Sequence, residues 1–172
     1  MNFTIHPMPL QNFNYLISWS DFTSRRFRPE GVDEDAQIHP EMSSSNIKLG
    51  AKGKSVAIIE LDVIIELVRS DCWVVESKKS EELLSHEQGH YDILAISARE
   101  FYQSLKDLSA SSTHELQQLV NSVQEKIARK VSAVDKEYDV KTKHGLDKTA
   151  QEQWLKNIRK QKQHAAGSIE QL

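Results

Sequence analysis

The feature that most constrains the fold is a change of hydrophobic period near residue 78. Before it, apolar residues alternate or run together with dense β-branching. After it, they recur at the three-to-four spacing of helices. "SVAIIELDVIIELV", residues 55 to 68, puts Ala57, Ile59, Leu61, Val63, Ile65 and Leu67 on one face of a long strand. "FNYLISW" alternates Phe13, Tyr15, Ile17 and Trp19 and predicts a half-buried strand. Residues 21 to 45 read as loop with one short strand. "RSD" turns the chain into "CWVVES", the return strand of a hairpin with 55 to 68.

Three helices follow. Ser80 caps a helix to about Leu108, with Glu81 and Glu82 at the positive end of its dipole. Ser112 and Glu115 have the form of a capping box for a second, ending near Tyr138. Asp147 caps a third, carrying Trp154, Leu155 and Ile158. The expectation is one α+β domain over residues 1–172, an antiparallel sheet (about 13–77) followed by helices (78–163). The tail 164–172 has no period and is expected to fray.

Composition excludes several classes. Net charge is −3 with no long run of one sign, which argues against nucleic acid as the main partner. No apolar stretch is long enough to span a membrane. Cys72 is the single cysteine, so an internal disulfide and a multi-cysteine zinc site are excluded. "MNFTIHPMPLQNF" lacks the basic start and apolar core of a signal peptide.

Within the first helix, "HEQGH" places His86 and His90 four residues apart, one above the other on the same side. Neutral imidazole is a preferred zinc ligand, and a catalytic site uses three protein ligands with a fourth position open. Glu87 lies beside that open position, where it can take a proton from the activated water and pass it to a leaving nitrogen. The third ligand is expected at His144, in the turn "KHGLD" between two helices, with Asp139 and Glu137 as carboxylate rivals. His6, His39 and His164 fall in loose segments, and His114 starts a helix. Tyr138 is either a phenol that hydrogen-bonds a developing oxyanion or a core aromatic at a helix end. Asp92 is either a brace for a ligand imidazole or an exposed carboxylate.

"LLSHEQGHYDILAISARE" followed by "YDVKTKHGLDKTAQEQW" resembles a bacterial family of predicted secreted zinc-dependent proteases, a domain of unknown function grouped with the zincins. The family features are an HEQGHFDI-like helix, a YDxxTxHG segment followed by Gln and Trp, and an N-terminal WxDF element. They stand here at His86 to Ile93, Tyr138 to Gly145 with Gln151 or Gln153 and Trp154, and Trp19 to Phe22. The resemblance implies a zincin-like α+β fold and a site containing His86, Glu87, His90 and His144. It also implies export (periplasmic or secreted); without a leader the expectation would be cytoplasmic. The expected activity is peptide-bond hydrolysis with one Zn²⁺ per chain and a peptide or protein substrate. An extended substrate would add to the edge of the strand before the helix. A non-catalytic zinc-binding module and a zinc amidase acting on a non-peptide or cell-wall amide are the alternatives.

Overall fold

The Val- and Ile-rich run dictates the largest sheet. In the computed structural model, which describes residues 10–106 and 108–172, it forms β5 (Ser55–Leu67). Its antiparallel partner is β4 (Pro40–Lys52), reached through Gly53, whose φ of 65° closes the turn at no Cβ cost. Along β5, Leu61, Val63 and Ile65 are fully buried, as the alternation demands. Ile59 is 64% exposed, contrary to its expected place on that face. The pairing with β4 shifts register between Ser45 and Leu49, and such irregularities re-aim side chains. The short strand β1 (Leu10–Gln11) runs parallel to β5 along its other edge.

A second sheet holds β2 (Thr23–Arg25), β3 (Ala36–Gln37) and β6 (Trp73–Val75), in the order β2-β6-β3. "CWVVES" is therefore not the return strand of a hairpin with β5. Its central strand pairs parallel to β2 and antiparallel to β3. "FNYLISW" is not a strand either. Gln88 on the following helix accepts from Ile17 N and donates to Tyr15 O, satisfying backbone groups that a ladder would otherwise use. The chain then makes a 3-10 turn at Trp19–Asp21, where the buried Asp21 carboxylate accepts from Ser18 N and Tyr15 OH. The expectation of an antiparallel sheet becomes two mixed sheets. The broader α+β reading stands.

The helices form where local signals place them. Ser80 Oγ accepts from Leu83 N at the start of α1 (Glu81–Lys106). After a two-residue strand, β7 (Ser109–Ala110), which pairs with β5, Ser112 Oγ accepts from Glu115 N to open α2 (Thr113–Thr142). Only half of the capping box is made, because the Glu115 carboxylate accepts from Ser111 N instead. Asp147 caps α3 (Lys148–Gln163) through Ala150 N. α2 runs past Tyr138 by a full turn and ends at Lys143, in the left-handed conformation.

Two cores result. One face of α1 packs on β5 through Tyr91, Leu94, Ala95, Ala98 and Leu105, against Leu61, Val63 and Ile65. Its other face, Ile93 and Ile96, packs with Tyr138, Ile158 and Ile169. Ile169 lies in the segment expected to fray. Instead, the tail makes a 3-10 turn at Ile169–Gln171, and Ile169 is buried. Arg99 holds it down, donating to the carbonyls of Gln161, Lys162 and Gly167 at 2.7 to 2.8 Å. Glu100 accepts from Ile169 N and Gln103 donates to Ala165 O, so several side chains of α1 together order a tail without any period. Among the described residues no helix is long and apolar enough to cross a membrane, and His6 lies outside them.

Candidate metal centre

α1 and α2 lie antiparallel, and each offers a pair of polar residues four apart at the same level. His86 and His90 face Asp139 and Asp135. The Nε2 atoms of the two histidines are 3.1 Å apart, and Asp139 Oδ1 is 3.1 Å from each. Among the described residues, His86, His90 and Asp139 form the group of ligand atoms mutually within 4.8 Å that can hold a metal ion.

The outer nitrogens decide the tautomers. His86 Nδ1 is 2.9 Å from Gln151 Oε1, and the same amide donates through Nε2 to Glu82 O, which fixes its orientation. His90 Nδ1 lies 2.6 Å from Asp135 Oδ1. Both Nδ1 atoms are thus placed to donate outward, which would leave each Nε2 to present a lone pair to a bound cation. Two such lone pairs 3.1 Å apart repel unless a proton or a cation lies between them. A tetrahedral ion with bonds of 2.0–2.1 Å separates its ligands by roughly 3.3 Å, close to the spacing seen here. The donor set and its outer braces fit a zinc-like ion.

Without the ion, charge on these groups is redistributed. Burial pushes the His86 imidazolium down against the Asp139 hydrogen bond. Burial alone would lower His90 as well, but the Asp135 and Asp139 carboxylates override it and push it up to about 10. Burial also opposes charge on Asp139, yet the hydrogen bonds from both histidines hold it well below the usual carboxylate range.

Glu87, one residue after the first histidine, is 3% exposed and lines the same cavity, of about 300 Å³. Burial pushes its carboxyl up to about 7, only partly offset by His90 and by the Ile38 N–H, which donates to Oε2 at 2.9 Å. Ala36, Gln37 and Ile38 line the opposite wall, along the edge of β3 that faces away from β6. β6, the strand immediately before α1, has both edges occupied, so the open strand edge beside the site is β3.

The structure places each of the remaining candidate residues. His144 is not in the ligand cluster, and Asp139 takes that place. The reason is the longer α2. Asp139 is still helical, one turn beyond Asp135, and so faces the histidines, whereas His144 follows the helix end. Its Nδ1 sits 3.3 Å from Asp139 Oδ1 and its ring lines the cavity. Glu137 is turned to solvent. Tyr138 is completely buried, and its hydroxyl donates to His86 O at 3.3 Å rather than facing the cavity. Its ring stacks on His86 with centroids 4.7 Å apart. This packing explains Gly89, since a methyl there would overlap the phenol, with ring Cζ only 2.7 Å away. Asp92 touches neither histidine. It accepts from Gln88 and from Lys162, at 2.9 and 2.7 Å.

Asp135 is not among the candidates read from the sequence, although "DKEYD" repeats the four-residue spacing of "HEQGH" on the facing, antiparallel helix. Of the two candidate glutamines, Gln151 is the buried one at the site. Gln153 bonds Asn157 at the surface.

Residues 73–145, from β6 to the turn after α2, match a family described as "Bacterial protein of unknown function (DUF922)". The matched segment contains His86, Glu87, His90, Asp135, Asp139 and His144. No curated protein and no solved structure matches the chain.

Proposed function

We propose that the protein is a zinc-dependent metallopeptidase with a zincin-like site, in which His86, His90 and Asp139 hold Zn²⁺ and Glu87 is the general base. The observation that carries this reading is the convergence of two oriented Nε2 lone pairs and one carboxylate at tetrahedral spacing, with a buried carboxyl beside them. A bound zinc ion would polarise water and the substrate carbonyl, the chemistry a hydrolase of this kind requires.

The chain's own residues supply the rest. Asp135 and Gln151 orient the two imidazoles. Glu87, buried beside the cluster on the cavity wall, is placed to accept a proton from the attacking water and return it to the departing amide nitrogen as the C–N bond breaks. The Ile38 N–H holds that carboxylate against the cavity wall.

Glu87→Gln tests the chemistry. Zinc content, by metal analysis, should match that of the wild type. Hydrolysis of a generic protein substrate such as casein, or of a mixed peptide library, should fall by roughly 10² or more. Unchanged hydrolysis in that variant would overturn the reading.

A further inference from the structure

The segment "TSRRFR", residues 23 to 28, sets three arginines around one phenylalanine with no acidic residue among them, in a chain of net charge −3. Its first half is β2, an outer strand of the second sheet, exposed at all three positions. Phe27 follows it and is 72% exposed. A ring of that size left in water forgoes most of the free energy that burial would bring.

The charges around the ring are only partly compensated. The Arg26 guanidinium lies 5.2 Å from the Phe27 ring centroid, and that of Arg25 lies 5.5 Å from the centroid of Trp73. Arg25 pairs in register with Val75, which sets this segment beside the 3-10 turn Glu76–Lys78 leading into α1. Lys79 Nζ, from the same turn, donates to Ser24 Oγ at 2.9 Å. Two of the cations have carboxylate partners, Arg28 with Asp35 at 2.7 Å and Lys79 with Glu76 at 2.8 Å. Arg25, Arg26 and Lys78 have none among the described residues. Three uncompensated cations and an exposed aromatic ring therefore stand at one end of the second sheet.

That combination fits an anionic bilayer. Cations are drawn to anionic headgroups, and an exposed aromatic ring seats at the boundary between headgroups and acyl chains. A single-stranded nucleic acid is held instead by successive aromatic platforms. Here only one ring is available, because the neighbouring Trp73 is buried. The same connection continues to Val32, Glu34 and Asp35, which line the cavity of the metal centre, and the Arg28–Asp35 pair ties its two ends together. The patch and the cavity wall are thus parts of one pinned loop.

We propose that the Arg25–Phe27 segment, with Lys78, seats the protein on an anionic phospholipid surface. The cations meet the lipid phosphates and the Phe27 ring enters the interface, with the cavity held close to the contact by the loop they share. This goes beyond the metallopeptidase reading and stands or falls separately from it.

The test is co-sedimentation of the full chain with vesicles of phosphatidylglycerol, beside vesicles of phosphatidylcholine. The protein should bind the first and not the second, and added salt should weaken the binding. The double variant Arg25→Gln, Arg26→Gln should lose about 10-fold or more in affinity. Phe27→Ser should lose about 3-fold or more. All these side chains are exposed, so circular dichroism should match the wild type. Lys156→Gln with Lys160→Gln, which removes two exposed cations from α3, should leave binding unchanged. No binding to phosphatidylglycerol, or equal binding to phosphatidylcholine, would overturn the inference. So would an equal loss in the α3 variant, or full binding by both the arginine and the Phe27 variants. Oligothymidylate bound more tightly than the vesicles, and released by the same substitutions, would overturn it by assigning the patch to nucleic acid.

Discussion

The two ends of the α1–α2 pair are built from opposite materials. At the start of α1, the buried groups are His86 and Glu87, each with a designated partner on another element: Asp139 and Gln151 for the first, Ile38 for the second. Further along, Ile93, Ile96 and Leu105 are buried by apolar packing, and the buried polar groups there, Ser97 and Arg99, bond main-chain carbonyls and not each other. Apolar burial is non-directional and stabilises by area, at about 25 cal/mol per Å². Buried polar groups are costly unless paired, so they specify geometry more than they add stability. One end of the helix pair holds the fold, and the other holds a constellation.

The largest effect separating the ends should come from Ile96→Ala. This side chain is completely buried between the helices, and its loss should cost ~2–5 kcal/mol. Thermal denaturation should show it, at about 2–4 °C in Tm per kcal/mol. Metal stoichiometry of the folded protein should not change. A loss of metal without a loss of stability would break the division between the ends.

Gly89→Ala should blur the division, because Gly89 is where the two ends meet. The added methyl overlaps Tyr138, which touches both His86 and the Ile93–Ile158 core. Overpacking of this kind costs ~1–3 kcal/mol. Here it should also weaken metal binding, so calorimetric unfolding and metal titration should move together.

A smaller effect, confined to the polar end, is expected from Asp135→Asn. The amide can still accept from His90 Nδ1 but loses the charge that braces the ring. Removing such an outer brace typically costs 10–100-fold in metal affinity. Competition with a zinc chelator should read that loss.

These contrasts also explain what the sequence made legible. The helix starts were readable because their signals are local: Ser80, Ser112 and Asp147 each bond a backbone N–H three residues on. Strand pairing is not local. "FNYLISW" has the alternation of a strand, but a glutamine on α1 took its backbone groups. The β6 segment was recognised as a strand and assigned the wrong neighbours, since nothing near residue 73 encodes residues 23 to 37. In the site, the "HEQGH" residues were legible from spacing alone. Asp139 joins the group with His86 and His90 because α2 continues a full turn past Tyr138, and that extension has no local signal in the sequence. The tail failed for a similar reason: Ile169 and Arg99 are far apart in sequence and meet only in the fold.

The central claim is that His86, His90 and Asp139 together hold one zinc ion. Its most direct test is elemental analysis of the protein, purified without chelators and dialysed against trace zinc, beside Asp139→Ala. The account predicts about one zinc per chain in the wild type and less than a tenth in the variant, with both folded by circular dichroism. A full equivalent of zinc retained by Asp139→Ala, or a folded wild type that takes up none, would contradict it.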